Sequence, residues 1–569
     1  MKIRDITLTV TVAIGSLCGL AYGLKSGPAT GYIVEGHDGV SASQAVRDVG
    51  GRVVLELPII QGVSAMLSTG QVAALRKISH IDLFVDGPVK TLTTTGGAPA
   101  GTNVIDKYAY KMVGADKLAG QGFMGNGVTV AVLDSGLWDS TGAATGAAKV
   151  LNDLNGRNKM LDTYDPSWGE GISLPDAYGH GTHVTSIIGS PDTSIDGQPL
   201  GIAPMARLVF VRAFNSSGNG TYSSVINGLN WIYSHKSQYN IRVANLSFGA
   251  KPQSFYWNDP IDQAVMTLWR SGVVVVASAG NFGPTAQSIA VPGNTPYVIT
   301  VGAVTDNYQP MQVSQYTLAR FSSAGPTYEG FVKPDVVSMG GHVLAYSPSS
   351  GYLATQFPQW YDPLHDDFTM SGTSQATAVV SGVVALMLQV SPLLTPDDVK
   401  CRLMSGAHPA VNADGTLTYT VFQQGSGLVS AHDSVYSTAT GCANVGLNVW
   451  TDMAGLQHFG GRANQDSYGN YYIMAATSNT VTDGLITTVQ GVPLAGSLLV
   501  GVPLVGDGLL WNGTYTQVSG YTWSNGYTWS NGYTWSNGYT WSNGYTWSNG
   551  YTWSNGYTGP GAAAVPAQQ

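Results

Sequence analysis

Three stretches of the chain hold reactive side chains in frames marked by small residues: Asp134 in "VTVAVLDSG", His180 and His183 in "DAYGHGTHVTSIIG", and Ser374 in "TMSGTSQATAVVSGVVALMLQV". A carboxylate, an imidazole and a hydroxyl brought together can run acyl transfer, with the imidazole moving the proton of the attacking hydroxyl. The histidine pair also invites a zinc reading. A zinc helix of this kind places a glutamate between its histidines, and Gly181 and Thr182 stand there instead. We therefore expect no metal at this motif, with His183 as a packed, hydrogen-bonded residue. Read alone, Asp134 also suits a turn and Ser374 a plain helix N-cap. A hydroxyl at a helix N-terminus nevertheless has unpaired N–H groups and the positive end of the dipole beside it, which favour an oxyanion.

The elements that must position these residues are legible as patterns. The runs 128–134, 206–214, 242–249, 272–281 and 297–304 are apolar without alternation, as strands buried on both faces are. Helical periodicity over 222–238 and 375–390 lies between and after them. This predicts an α/β domain with a doubly wound parallel sheet, whose ligands sit beyond the carboxyl ends of the strands. Asp134 closes the first of those runs. Ahead of this domain, residues 31–89 follow a β-α-β-β-α-β order, with a helix capped by Ser68, which fits a small ferredoxin-like α+β unit. The stretch "TLTTTGGAPAGT" then reads as an exposed linker.

In the order Asp134, His180, Ser374, the motifs "VAVLDSG", "GHGTHV" and "SGTSQA" resemble those of the subtilisin-like serine proteases. The resemblance runs from about residue 31 to about 435, closing on "QGSGLVSA". It implies Ser374 as nucleophile, His180 as general base and then acid, and Asp134 as the carboxylate orienting the imidazole. Asn281, at the end of "VVVVASAGN", matches the family's oxyanion asparagine. Ser247, Phe248 and Gly249, with Ser278, Ala279 and Gly280, resemble the strands that pair with substrate backbone and wall the main side-chain pocket. Neither triplet is charged, which favours apolar side chains before the cut. Residues 32–86 look like the family's inhibitory propeptide. No cofactor is implied; relatives often hold calcium, but no carboxylate cluster in this sequence commits to it. Two positions depart from the common pattern. Ala378 replaces a proline four residues after the nucleophile, and Gln375 replaces a methionine directly after it.

The remaining sequence sets the surroundings. Of 569 residues, 43% are hydrophobic and 10% charged, with 73 glycines, a globular rather than a disordered composition. With 25 Lys and Arg against 34 Asp and Glu, the net charge of −9 offers no footprint for nucleic acid. Lys2 and Arg4 precede a short apolar stretch ending at Ala21 and Gly23, as in a signal peptide, so export is expected. Cys18 would leave with it, and Cys401 and Cys442 remain, as a disulfide or as buried thiols. After Cys442 come the echo "GVPLAG" and "GVPLVG" and six copies of "YTWSNG" from Tyr521 to Gly556. These repeats are either a flexible tail or an aromatic array for cell-surface or glycan contact.

The expected organisation is a signal peptide at 1–23, a propeptide at 28–90, a linker with the maturation site at 91–102, a peptidase domain at 103–440, an extension at 441–518 and repeats at 519–569. The expected function is a secreted endopeptidase cutting polypeptides, made as a precursor that its own propeptide inhibits. The rival is a surface-binding protein on a spent protease scaffold. An esterase or peptide ligase using the same residues is a third reading, since an acyl-enzyme serves water, alcohols and amines alike.

Overall fold

The computed structural model describes residues 27–93, 108–137, 148–193, 197, 199–413 and 417–461, and beyond these only short segments from 463 onward. The expected signal peptide with Cys18, and residues 94–102 of the expected linker, lie outside the described residues.

The N-terminal unit comprises β1 (Thr30–Glu35), α1 (Gly39–Asp48), β2 (Arg52–Leu57), β3 (Gly62–Leu67), α2 (Thr69–Leu75) and β4 (Asp82–Val85). Its four strands lie in the order β2-β3-β1-β4, the ferredoxin-like arrangement. Ser68 accepts from the Gln71 N–H while Gln71 bonds back to the Ser68 N–H, a capping box that starts α2. Val34, Val46, Val63, Leu67 and Leu75 fill the core of the unit.

In the large domain, the strands β6 (Thr129–Asp134), β7 (Met160–Asp165), β8 (Arg207–Arg212), β10 (Ile241–Leu246), β12 (Val274–Ser278), β13 (Ile299–Thr305) and β14 (Val336–Met339) form one sheet. Their order is β14-β13-β12-β10-β6-β8-β7, and every neighbouring pair is parallel. The chain fills one side of β6 with β7 and β8 and then the other with β10, β12 and β13. Winding therefore reverses at β6, and Asp134 is its carboxyl-terminal residue, where such sheets take their ligands. Two expected strands end early. The run 242–249 breaks at Ser247, so that Phe248–Gly249 (β11) leaves the large sheet, and the run 272–281 stops at Ser278.

β11 belongs to a second, small antiparallel sheet in the order β9-β5-β11, with β9 at Asn219–Thr221 and β5 at Pro88–Thr91. The expected exposed linker thus begins too early. Thr91 and Leu92 are 8% and 6% exposed, because the large domain supplies strands on both sides of them.

Helices α3 (His180–Gly189) and α6 (Thr373–Val390) pack together on the sheet. Helices α4 (Tyr222–His235) and α5 (Pro260–Arg270) lie side by side and receive the N-terminal unit. Ile59 N–H donates to Asn230 Oδ1 at 3.1 Å, Thr267 Oγ1 donates to the Ile59 carbonyl at 3.3 Å, and Ile33, Leu57, Ile59 and Ile60 join the large core. Asp86 reaches across to accept from Ser223 N and Oγ at 2.8 and 2.6 Å, filling orphan donors at the start of α4.

Cys401 and Cys442 form a disulfide. The expected domain end at 440 is too early. Past it, buried Asp452 accepts from Tyr256 Oη and Tyr297 Oη at 2.6 and 2.8 Å, and Gly461 N–H donates to the Glu329 carbonyl at 2.7 Å. The extension up to about 463 is therefore sewn to the body by hydrogen bonds, several of them between buried groups. The YTWSNG repeats do not run on as one extended strand. Each contributes a three-residue strand that pairs in parallel with the second repeat along, Trp523 opposite Trp535 opposite Trp547, and Trp529 opposite Trp541 opposite Trp553.

Candidate active site

Asp134 emerges from a strand of buried Val130, Ala131, Val132 and Leu133, and is itself fully buried. Its Oδ1 accepts from the next N–H, Ser135, at 2.7 Å, and lies 2.8 Å from His180 Nδ1. That contact fixes the tautomer, with the proton on Nδ1 and the lone pair on Nε2. His180 Nε2 is buried with no hydrogen-bond partner among the described residues.

His180 is the first residue of α3, after Gly179 at φ 104°. The glycines flanking it are required by close packing. A Cβ on Gly181 would stand 2.2 Å from the Gly136 carbonyl oxygen, so the helix can lie against the exit of β6 only with glycine there. A Cβ on Gly179 would meet Ser347 Oγ at 2.7 Å. His183 is fully buried one turn later, its Nε2 lying 3.0 Å from the Phe368 carbonyl and 3.2 Å from that of Val343. Among the described residues no group of three or more His, Cys, Asp or Glu is placed to hold a metal ion. Buried lysines lie elsewhere in the domain: Lys400 Nζ donates to the carbonyls of Pro296, Tyr297 and Val298, and with Lys333 it pairs with Asp335.

Ser374 is the second residue of α6, whose N-cap is Gly372. Its Oγ lies 2.9 Å from two carbonyl oxygens, those of Leu92 and Ser247, and is not hydrogen-bonded to His180. The structure thus joins Asp134 to His180 directly, while the Ser374 hydroxyl points to the segment from the N-terminal unit. Asn281 follows β12 and accepts from Thr373 N and Oγ1 at 3.0 and 2.9 Å with its Oδ1. Those two bonds set the amide's orientation and leave Nδ2 buried with no partner among the described residues. The same amide nitrogen stands 3.2 Å, and the Leu92 oxygen 2.4 Å, from where a Cβ on Gly372 would be. Leu92 O and Asn281 Nδ2 therefore both lie beside Gly372, and Leu92 O accepts from Ser374 Oγ.

The expected wall residues divide by role. Phe248 and Gly249 pair with Thr91 and Lys90, and a Cβ on Gly249 would come within 2.8 Å of both Leu92 Cδ1 and Ala290 Cβ, so this glycine makes room for the leucine. Ser247 Oγ donates to the Ser374 carbonyl at 2.9 Å, and Ser278 Oγ to the Phe248 carbonyl at 2.7 Å. Ala279 is tied by its own backbone to Val301 and Ala290. Gly280, at φ 111°, releases the chain toward Asn281. Ser278 and Ala279 are therefore held in this wall by hydrogen bonds to Phe248, Val301 and Ala290. Sequence reasoning missed Leu92, strand β9, Thr373 and Asp176. Of these only Thr373, inside the "SGTSQA" motif, carried a local signal.

Comparisons with known proteins bear on the family. Residues 125–427, more than half of the chain, match the Subtilase family model. Serine protease AprX of Bacillus subtilis (strain 168) is 35% identical over 333 residues, covering 56% of this chain and 68% of its own length. Subtilisin E of the same strain is 30% identical over 433 residues, covering 75% of this chain and 95% of its own. Among solved structures, fervidolysin from Fervidobacterium pennivorans, described as a keratinolytic enzyme related to subtilisin, shares the fold with a TM-score of 0.57 at 21% identity, over 80% of this chain and 68% of its own. With its doubly wound sheet and its site at the reversal strand, the chain belongs to the subtilase family of serine-type endopeptidases.

Proposed function

We propose that this chain is an exported endopeptidase made as a self-inhibited precursor, and that its first substrate is its own Leu92–Thr93 bond. One observation carries the reading: the Leu92 carbonyl oxygen lies 2.9 Å from Ser374 Oγ while residues 88–91 are held as a strand between β9 and β11. An extended peptide paired on both edges presents its backbone for cleavage and alternate side chains for recognition. Val89, Thr91 and Leu92 are buried, and Pro88 and Lys90 point outward.

In this mechanism Ser374 Oγ attacks the Leu92 carbonyl carbon, and its proton passes to His180 Nε2. Asp134 keeps Nδ1 protonated and stabilises the imidazolium that forms. The tetrahedral oxygen takes hydrogen bonds from the Ser374 N–H and Asn281 Nδ2. The second is an amide pre-aimed by Thr373, so it costs little reorganisation. His180 then protonates the Thr93 amine as the bond breaks, and water releases the Leu92 acyl group from Ser374 by the same steps in reverse. The released N-terminal unit keeps its carboxyl end in the cleft and blocks it until it dissociates.

The test is expression of the full chain and of Ser374→Ala, with mass spectrometry of the products. The wild type should yield a new N-terminus at Thr93. Ser374→Ala should stay uncut and lose proteolysis by about a millionfold. Self-cleavage of Ser374→Ala at the wild-type rate would overturn the assignment.

A further inference from the structure

Helix α3 begins without a capping side chain, since its N-cap is Gly179, yet it carries His180 at its first position. The first-turn N–H groups of such a helix need partners from elsewhere. They find them in one buried carboxylate and one hydroxyl. Asp176 Oδ1 accepts from Gly179 N at 2.8 Å, and its Oδ2 accepts from Thr182 N at 2.8 Å and Thr182 Oγ1 at 2.7 Å. Ser135 Oγ accepts from Gly181 N at 3.0 Å and donates to Asp176 Oδ1 at 2.9 Å.

These bonds close a ring. Asp134 is followed by Ser135, Ser135 is bonded to Asp176, Asp176 holds both sides of His180 in the chain, and His180 returns to Asp134. No cation is among the four donors to Asp176, which is 4% exposed and also stands against Gly136, a Cβ there being 2.7 Å from the Asp176 Cα. A carboxylate at this place is favoured by the positive end of α3. Its burial nevertheless pushes the carboxyl up from its ordinary range, the bonds from Gly179 and Thr182 pull it back, and Asp134 raises it again. A group that costs this much to bury, with every lone pair committed to the two loops carrying Asp134 and His180, is placed to register those loops.

We propose that Asp176 is a positioning residue for catalysis, holding the first turn of α3 against the end of β6 so that the His180 ring meets Asp134 on one side and the nucleophile's proton on the other. This rests on the roles proposed above for His180 and Ser374. Asp176 touches no substrate, so its removal should act on kcat through the ring's orientation and leave substrate binding in the β9-β11 groove alone.

The experiment compares Asp176→Asn, Thr182→Val and Ser374→Ala in the full chain, each measured for self-processing, peptide cleavage and thermal midpoint. Asparagine keeps the shape but turns an NH2 toward two donors. Asp176→Asn should lower kcat about 10- to 100-fold with KM within about twofold. Thr182→Val keeps the carboxylate and both of its backbone N–H bonds, losing only the hydroxyl donor, and should lose only a few-fold in kcat. Wild-type kcat in Asp176→Asn would overturn the proposal, as would a loss shared between kcat and KM. Should Asp176→Asn fail to fold, a wild-type kcat in Thr182→Val would overturn it and a few-fold loss at unchanged KM would support it. Activity surviving in Ser374→Ala would instead sink the assignment of the nucleophile, a separate failure.

Discussion

Replacing Leu92 by alanine in the intact precursor tests the reading of the cleft most directly. The leucine is 6% exposed and its Cδ1 sits in the space that Gly249 leaves by lacking a Cβ. Truncation to alanine removes three buried carbons, at about 0.8 kcal/mol each roughly 2.4 kcal/mol, an upper bound since the unseated segment is not fully hydrated. The Leu92 carbonyl is aimed at Ser374 only while this side chain is seated, so the loss falls on the cleavage step and amounts to roughly 60-fold in rate. Lys90 is the internal control: its backbone pairs with Asn219 and Gly249, but its side chain points to water. Lys90→Ala should process within about twofold of wild type. The assay is the time course of precursor loss on a gel, with the new N-terminus read by mass spectrometry. Processing of Leu92→Ala at the wild-type rate, or equal slowing by Lys90→Ala, would refute the reasoning.

Other outcomes follow from the same geometry. Asn281→Ala, which removes the buried and pre-aimed Nδ2, should lower kcat by about a hundred to a thousandfold with little change in KM; a loss confined to KM would contradict the oxyanion role. Glu35, 7% exposed at the seat of the N-terminal unit, accepts from Gln263 on α5, and burial pushes its carboxyl well above the usual 4.5, with Asp82 and Asp259 adding to the rise. A raised carboxyl favours the docked unit while protonated, a contribution complete below pH 4.5 and lost as pH climbs through the shifted value. Dissociation of the cleaved N-terminal unit should therefore speed up with rising pH in the wild type and lose most of that dependence in Glu35→Gln, followed by recovery of activity across a pH series. Gln375 is fully buried where many relatives carry methionine, and the sulfur beside it, Met370, is 1% exposed. Activity should persist in dilute peroxide, and rapid inactivation would count against that account.

What the sequence made legible were the features written locally. Strands buried on both faces appear as unbroken Val-rich runs, and the ends of β6 and β12 are marked by the polar residue that stops each run. Asp134, His180 and Ser374 could be read because each sits where a strand or helix boundary forces a small-residue frame. The contacts that finish the site are between segments far apart in the chain. Nothing in "TLTTT" shows that Leu92 lies in the cleft, because its burial is supplied by Asn219–Thr221 and Phe248–Gly249. Asp176 looks like any loop aspartate until the helix after it is found to lack a cap of its own. The extension past 440 reads as low in pattern for the same reason: Asp452 is held by Tyr256 and Tyr297, about two hundred and a hundred and fifty residues earlier.

Two helices in this fold begin with glycine as N-cap and carry a reactive side chain within their first two positions, and they put their free N–H groups to opposite uses. On α3 these donors are consumed by Asp176 and Ser135, which fixes the first turn of the helix against the end of β6. On α6 the Thr373 N–H is spent on Asn281 Oδ1, which aims the amide, while the Ser374 N–H has no carbonyl of its own helix to bond and faces the point where a tetrahedral oxygen would form. A side-chain cap on α6 would occupy the donor that catalysis needs, and loss of the carboxylate under α3 would free a ring that catalysis needs still. The glycines at 179 and 372 therefore do more than permit a tight turn. They hand the capping of each helix to a partner in another segment, and the choice of partner separates the helix that must stay rigid from the one that must stay open to substrate.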